Sequence, residues 1–265
     1  MVYKKATKEV NEMNKGLAFA VFAVFILLGT VMFAISTADN PKFPKDVFEI
    51  SSERLPAYGS ESNEAQAGNI TKMNITAWSQ TQTWAGYVGN VTGRIVLDDA
   101  NNNSLYDWRA NEPQGEVYAV NSSVSPTWAN IRCFEFNNGT MGLNRSIYET
   151  DLGLDSDDYD GVDETFNDTN HSTFYVGTYT IPENTCPSTW MYVNDADQQD
   201  TFREVLLTDK TNVIYTAIIE DDDANTHGGK TGFDGNNYDY QMLVGVNGHN
   251  GSDATWEYFF YVELE

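Results

Sequence analysis

The sequence predicts a mainly β protein, in which an N-terminal hydrophobic α-helix precedes an antiparallel, β-sandwich-like extracellular domain. One uncharged apolar run lies near the N-terminus. After Ala77 the chain consists of short alternating runs rich in Val, Ile, Thr and aromatic residues, and clusters of Asn, Asp and Gly separate these runs. We therefore divide the chain into a charged cytoplasmic leader (1–16), a hydrophobic helix (17–38), a stalk or linker (39–75) and a β-rich extracellular domain (76–265).

The apolar run from Leu17 to Ile35 contains no charged residue, and Gly16 extends it to 20 residues. At a rise of about 1.5 Å per residue, a helix of this length spans the roughly 30 Å hydrocarbon core of a bilayer. Lysines precede the run and acidic residues follow it, so the positive-inside rule predicts a cytoplasmic N-terminus and an external domain. A secretory signal peptide cleaved near Ser36 or Ala38 and an uncleaved signal anchor both remain open.

A basic residue and a glycine, Lys15 and Gly16, stand directly before Leu17. This junction resembles the cleavage site of archaeal type IV pilins and related class III signal sequences, and the resemblance covers only residues 1–38. It implies cleavage after Gly16 by a membrane peptidase, a mature chain that begins at Leu17, and a helix that packs beside its copies in a filament core. Val21 stands where many bacterial pilins carry glutamate and where archaeal relatives often do not.

The charge of the chain limits its partners. It has 39 Asp and Glu residues against 15 Lys and Arg, for a net charge of −24. Such a field repels phosphate backbones, and no basic patch is present, so the sequence predicts no nucleic-acid partner. Bound cations, a saline habitat and solubility each explain the acidity. The predicted partners are the membrane and, through the N-terminal helix, further copies of the chain.

Nine candidate strands alternate with turn-forming clusters, and no amphipathic helical stretch longer than about two turns competes with them. The last strand alternates most clearly, with Trp256, Tyr258, Phe260, Val262 and Leu264 on one face. The six tryptophans are predicted in the core, with a sugar-binding platform as the alternative. The candidates are Trp84–Leu97 with a bend at Gly89 or Gly93, Glu116–Val120, Ile131–Phe136, Thr173–Ile181, Trp190–Val193, Phe202–Leu207, Val213–Ile219, Tyr240–Val246 and Trp256–Leu264.

The chain has two cysteines, Cys133 and Cys186. An even number in a chain that looks exported predicts a disulfide that closes a loop of about 50 residues, with two buried free thiols as the alternative. Neither cysteine lies in a CxxC motif or beside a histidine cluster, so a zinc or redox role is not indicated.

The chain contains ten Asn-x-Ser/Thr triplets, more than its composition predicts by chance, and all lie outside the apolar run. This excess predicts an external surface that carries N-linked glycans, with ordinary polar turns as the alternative. Most triplets fall in predicted turns, whereas Asn90 falls within a predicted strand. The candidate sites are Asn69, Asn74, Asn90, Asn102, Asn121, Asn138, Asn144, Asn167, Asn170 and Asn250.

Two acidic loops carry oxygen ligands at a spacing that suits a hard cation such as Ca²⁺. The first, with Asp99, Asn101, Asn103 and Asp107, resembles the calcium loops of bacterial surface β-sandwich repeats, but Ser104 replaces a glycine of that motif. Calcium is the predicted cofactor beside N-linked glycans, with polar Asx-rich turns as the alternative. The second loop, Asp155, Asp157, Asp158 and Asp160 followed by Gly161 and Asp163, approaches the start of an EF-hand, with Asn167 in place of its final glutamate.

The sequence predicts that the chain is not an enzyme, because HExxH, GxSxG and Cys/His nucleophile arrangements are absent. His171, His227 and His249 lie in Gly- and Asn-rich loops without a spaced partner and are predicted at the surface. The leading hypothesis is a structural cell-surface glycoprotein, a subunit of a type IV pilin-like filament or of a surface layer. The alternative is a signal-anchored extracellular module for binding or adhesion, which recognises carbohydrate or another cell.

Overall fold

Antiparallel strands make up most of the regular structure, which confirms the mainly β, antiparallel class predicted from the sequence. The computed structural model describes residues 40–56, 59, 62–109, 114–137, 143–220, 229–249 and 255–264. The predicted leader and helix, with the processing residues Lys15, Gly16 and Leu17, lie outside these residues and stay predictions. Within the described ranges, no helix has the length and apolar character of a membrane span.

The described part of the chain contains strands, two α-helices and a 3₁₀-helix. The strands are β1 (Trp84–Gly89), β2 (Arg94–Asp98), β3 (Ser104–Arg109), β4 (Gly115–Val120), β5 (Arg132–Cys133), β6 (Phe174–Val176), β7 (Tyr179–Ile181), β8 (Ser188–Trp190), β9 (Arg203–Thr208), β10 (Val213–Ile218), β11 (Lys230–Thr231), β12 (Asn237–Tyr238), β13 (Tyr240–Gly245) and β14 (Phe259–Leu264). A 3₁₀-helix covers Trp128–Asn130, and the α-helices are α1 (Arg145–Leu152) and α2 (Val162–Thr165).

The largest sheet, called here the central sheet, has the strand order β14–β4–β10–β9–β5, and β8 also pairs with β9. Neighbouring residues of one strand point to opposite sides of a sheet, and apolar residues occupy both sides of this one. On β10, for example, Tyr215 belongs to one buried cluster and Ile214 to another. The other described strands form two-stranded pairs, β1–β13, β2–β3, β6–β7 and β11–β12.

The first face of the central sheet is covered by the β1–β13 pair and by both α-helices. Met242 and Val244 of β13 and Leu152 of α1 share one buried cluster with Tyr215. Polar groups join the same layers, since the Tyr148 and Tyr215 hydroxyls are hydrogen-bonded and the Tyr215 hydroxyl accepts the Gly245 N–H at 3.0 Å. Helix α1 is therefore held to the sheet by both apolar packing and hydrogen bonds.

The second face is covered by the β6–β7 hairpin, the 3₁₀-helix and the segment around Cys186. Trp128, Phe174 and Ile181 pack there against Tyr118 and Tyr261 of the sheet. Cys133 and Cys186 are bonded to each other, which confirms the predicted disulfide. The bond ties β5 to the segment before β8 on this face.

His171 fixes the backbone of the segment around Cys186. It is buried, contrary to the predicted surface position, because its Nε2 accepts the backbone N–H groups of Thr185 and Cys186 at 3.2 and 3.0 Å. Its Nδ1 lies 2.8 Å from the Ser172 carbonyl oxygen, to which it donates. Burial lowers the pKa of His171, so the neutral ring is the form that the fold prefers. His249 is exposed as predicted, and His227 lies outside the described residues.

Two ionisable side chains are buried in neighbouring positions of β9. The Glu204 carboxyl accepts the Leu243 N–H at 2.8 Å and so joins β9 to β13. Burial raises its pKa well above the ordinary range for glutamate. Arg203, on the opposite face, stacks over the Trp190 ring, and burial lowers its pKa to about 10.

The observed elements differ from the predicted ones at several places. The predicted Thr173–Ile181 strand is a hairpin, because Gly177 adopts φ 59° between β6 and β7. The Trp84–Leu97 strand divides into β1 and β2, and Ile131–Phe136 shrinks to the short β5. Both α-helices, the 3₁₀-helix and the strands β3, β11 and β12 were also missed. Helix α1 is capped by the Asn144 side chain, which accepts the Ile147 N–H.

The arrangement also differs from a sandwich of two large sheets. Strand pairs and helices, rather than a second large sheet, cover the central sheet. At the start of the predicted stalk, Lys42 forms an antiparallel bridge with Val262 at the outer edge of β14. The Phe43 ring packs 4.3 Å from the Tyr261 ring. Beyond this contact, none of the described residues in 43–82 belongs to a helix or a strand.

Removal of the disulfide should lower stability substantially. The bond closes a loop with a sequence separation of 53 residues. In the loop-entropy account, a closure of this length contributes about 4 kcal/mol to the free energy of unfolding. We expect the Cys133→Ser/Cys186→Ser double variant to unfold at clearly lower denaturant concentration than the wild type. Equal midpoints would contradict this role.

Glu204 should make stability fall as pH rises. Because its folded-state pKa is raised, its contribution is complete below the unfolded-state pKa of about 4.3 and is lost as pH rises toward the folded-state pKa. The Glu204→Gln variant keeps an oxygen that can accept the Leu243 N–H and cannot ionise. Unfolding free energies measured from pH 4 to pH 9 should decline less for this variant. Parallel curves for both proteins would exclude Glu204 as the cause.

Candidate interaction surface

The β2–β3 hairpin is amphipathic. Its register pairs Ile95 with Trp108 and Leu97 with Tyr106, so these four side chains lie on one face, called here the apolar hairpin face. Arg94 and Asp107 form an ion pair at 3.0 Å, and both lie outside this face. An antiparallel hairpin with this pattern normally buries its apolar face against a core.

The apolar hairpin face is not covered. Its four side chains, Ile95, Leu97, Tyr106 and Trp108, are between 44% and 58% exposed. The Tyr106 and Trp108 rings contact each other, with centroids 4.7 Å apart. β2 and β3 are hydrogen-bonded only to each other within the described residues, so each strand also has an open edge. Exposed apolar patches on soluble domains mark interaction sites, and an isolated two-stranded hairpin is only marginally stable in water.

The first predicted calcium loop is the turn of this hairpin. Asp99 accepts the backbone N–H groups of Asn101 and Asn103 at 2.8 and 2.9 Å and the Asn103 side-chain amide at 2.8 Å. These hydrogen bonds, led by the Asn103 side chain, lower the pKa of Asp99. Asp107 lies on β3 and pairs with Arg94. The Asp99 oxygens therefore already accept hydrogen bonds from the turn, and calcium binding at this loop stays a prediction.

The second predicted loop also uses its acidic groups within the chain. The Asp158 carboxylate accepts the Asp155 N–H at 2.8 Å, and the Asp160 carboxylate accepts the Thr81 hydroxyl at 2.6 Å. Asp157 is exposed. Neither these residues nor those of the first loop form a group of three acidic, His or Cys ligand atoms within 4.8 Å in the described ranges.

Glu149, Asp163 and Glu164 do meet in this way, at the contact between α1 and α2. Arg145 already pairs with Asp163, and its Nε lies 3.7 Å from Glu149. Burial raises the pKa of Glu149. At Asp163 the effect of burial is outweighed by hydrogen bonds with Glu164 and Arg145, which lower the pKa. The arrangement is a salt-bridged junction between two helices, in which the Arg145 guanidinium balances part of the negative charge.

The predicted glycosylation sites are mostly accessible. Asn90 follows β1 rather than lying within a strand, so its side chain can reach solvent. Asn144 is half-buried, and its side-chain oxygen caps α1. The Asn167 side-chain nitrogen donates to the Glu164 carbonyl at 2.8 Å. Asn138 and Asn250 lie outside the described residues. The exposed ones are Asn69, Asn74, Asn90, Asn102, Asn121, Asn167 and Asn170.

A cleft of about 270 Å³ lies at one end of the central sheet. Glu116, Ser172, Phe174 and Glu220 are among its lining residues. Its volume is slightly below the range of roughly 300 to 1,000 Å³ that small-molecule sites occupy. No histidine or cysteine is among the described residues that line it. The apolar hairpin face is therefore the stronger candidate for a functional surface.

Comparison of the chain with protein-family models, with characterised proteins and with solved structures gives no match. Function must therefore be inferred from the residues of this chain. The apolar hairpin face could have been found in the sequence, because Ile95 and Leu97 alternate in the same way as Tyr106 and Trp108. The intervening Asp and Asn residues favoured a metal loop instead, and the second strand was missed.

Calcium binding at either acidic loop would be visible in thermal unfolding. A cation that binds only the folded chain at 100 times its dissociation constant adds about 2.7 kcal/mol of stability. If the calcium prediction holds, excess chelator lowers the melting temperature and added Ca²⁺ restores it. An unchanged melting temperature would assign both loops as hydrogen-bonded turns. Asp99→Asn and Asp157→Asn variants would show which loop is responsible.

Proposed function

We propose that this protein is a structural cell-surface glycoprotein, and that its exported β domain docks with further copies in a filament or surface layer. The observation that carries the proposal is the uncovered apolar hairpin face. A domain that covers both faces of its central sheet, yet leaves Ile95, Leu97, Tyr106 and Trp108 in solvent, has a surface suited to a partner.

The N-terminal sequence supports the same role. Its apolar run can anchor the chain in a membrane or pack with copies of itself, and the Lys15-Gly16-Leu17 junction supports processing of the pilin type. The accessible sequons are consistent with an external domain that carries glycans. A disulfide is likewise typical of an oxidising, external compartment.

A second candidate function is an anchored module that binds carbohydrate. It is favoured by the exposed, adjacent Tyr106 and Trp108 rings, since sugar rings stack on aromatic faces. In that case Trp108→Ala would abolish binding of oligosaccharides to the purified protein, whereas Ile95→Ser on the neighbouring strand would retain most of it.

The test of the proposed function is assembly of the full-length chain at the surface of the cells that express it. We expect Ile95→Ser/Trp108→Ser to lower the assembled fraction about tenfold or more, because two large apolar contacts are lost at each interface. The comparison variant is Leu105→Ser, which removes an exposed apolar side chain of the same hairpin at the position where the register shifts and leaves Ile95 and Trp108 in place. Its assembled fraction should stay close to that of the wild type.

Thermal unfolding of both variants checks that the domain still folds. Mass determination of the mature N-terminus adds a second criterion, since the pilin hypothesis predicts a chain that begins at Leu17. A wild-type protein that keeps residues 1–16 and stays as single, detergent-extractable chains would overturn the structural role. That result would favour the anchored binding module.

A further inference from the structure

A second exposed apolar element lies in the chain segment that follows the Lys42 bridge. Phe48 and Ile50 are 81% and 97% exposed, and they alternate with Val47 and Glu49. Residues 45–50 contain no proline and belong to no sheet of the described structure. This stretch, called here the exposed segment, therefore has the alternation of a strand without a strand partner.

The chain just before the exposed segment already pairs with a sheet edge. Lys42 exchanges two backbone hydrogen bonds with Val262, at 3.1 and 2.8 Å. Pro44 then removes one backbone donor, and the segment leaves the domain edge. Burial raises the pKa of the Tyr87 phenol on β1, and the nearby Glu49 charge adds to the increase. Glu49 thus lies near β1, while the Phe48 and Ile50 side chains are exposed.

The exposed segment matches the outer edge of β2 in one register. Antiparallel pairing of Val47 with Val96 places Phe48 opposite Ile95. It also places Glu49 opposite Arg94 and Lys45 opposite Asp98, so both charged pairs have opposite sign. Phe48 and Ile50 then extend the apolar hairpin face, and the charges of Lys45 and Glu49 lie on the polar face. Asp46 opposite Leu97 is the one unfavourable pair.

The opposite strand direction is disfavoured by charge. A parallel arrangement with the same Val47–Val96 pair would put Glu49 opposite Asp98 and Lys45 opposite Arg94, which are two pairs of like charge. Local charge balance matters here because each chain has a net charge of −24, so copies repel one another wherever their surfaces are acidic. Residues 40–56 carry three basic and three acidic side chains and are locally neutral.

We propose that the exposed segment of one copy adds as an antiparallel strand to the outer edge of β2 in the next copy, with Val47 opposite Val96. This inference rests on the proposed function, and it specifies the contact between external domains. The contact is heterologous, because the segment of one copy meets the β2 edge of another copy rather than a second segment. Repeated without reciprocal exchange between two copies, such a contact builds a chain of subunits.

Engineered cysteines test the register. Opposed residues of an antiparallel pair have Cα atoms about 4.5 to 5.5 Å apart, within the range that a disulfide spans. We expect the full-length Val47→Cys/Val96→Cys variant, after mild oxidation of assembled protein, to give a ladder of covalent multimers on a non-reducing gel. The matched control is Val47→Cys/Leu105→Cys, which places the second cysteine on β3 and should remain mostly monomeric.

Charge reversal tests whether the contact joins separate copies. Lys45→Asp alone and Asp98→Lys alone each place like charges together, which should reduce assembly about fivefold. An equimolar mixture of the two variants should assemble as the wild type does, because in an alternating assembly every contact joins one acidic and one basic side chain at positions 45 and 98. A mixture that assembles no better than its components would overturn the inference.

The outcomes separate this inference from the function on which it rests. Assembled wild-type protein whose Val47→Cys/Val96→Cys variant gives no multimer ladder would overturn the strand addition and leave the structural role standing. A disulfide formed within single chains would show that the segment pairs with its own hairpin, and it would also overturn the inference. Failure of the wild type to assemble at all would overturn both.

Discussion

The central sheet is apolar on both faces, and this one constraint organises the rest of the domain. A sheet buried on both sides needs a cover on each side, and short elements supply both covers here. On the first side the Tyr148 and Tyr215 hydroxyls and the Glu204 carboxyl hold α1 and β13 against the sheet. On the second side the disulfide and neutral His171 hold the loop around Cys186. These hydrogen bonds and the disulfide fix the positions of the short elements that bury the two faces of the sheet.

The β2–β3 hairpin, by contrast, has a single apolar face, and that face lacks a cover in the described structure. Four apolar side chains share one face, charged residues share the other, and both strand edges are open within the described structure. An exposed apolar face with open strand edges promotes unspecific association unless a specific partner covers it. The exposed segment of the same chain offers a strand of matching polarity. The domain thus carries both halves of a contact that it does not make within the described part of one copy.

Alternation in the sequence predicted those elements that are regular and continuous. The final strand is the clearest case, since Phe260, Val262 and Leu264 do pack on one side of the sheet and Tyr261 on the other. Alternation failed where a single residue changes the chain direction, as Gly177 does between β6 and β7. Helix α1 was missed because its capping residues, Asn144 and Gly153, look like turn residues when taken alone. Strand β3 was missed because the oxygen-rich turn at Asp99 was interpreted as a calcium loop. Hairpin turns and calcium loops use the same residue types.

The claim that a second copy covers the hairpin is tested most directly by amide hydrogen exchange of the wild-type protein, assembled and dissociated. If the account is correct, assembly slows exchange in residues 94–98 and in residues 45–50 together, since each stretch supplies hydrogen bonds to the other. The β9 and β10 amides, which are bonded within one copy, should exchange at the same rate in both states and serve as the control. Equal exchange of residues 94–98 in the two states, or protection there without protection of 45–50, would contradict it.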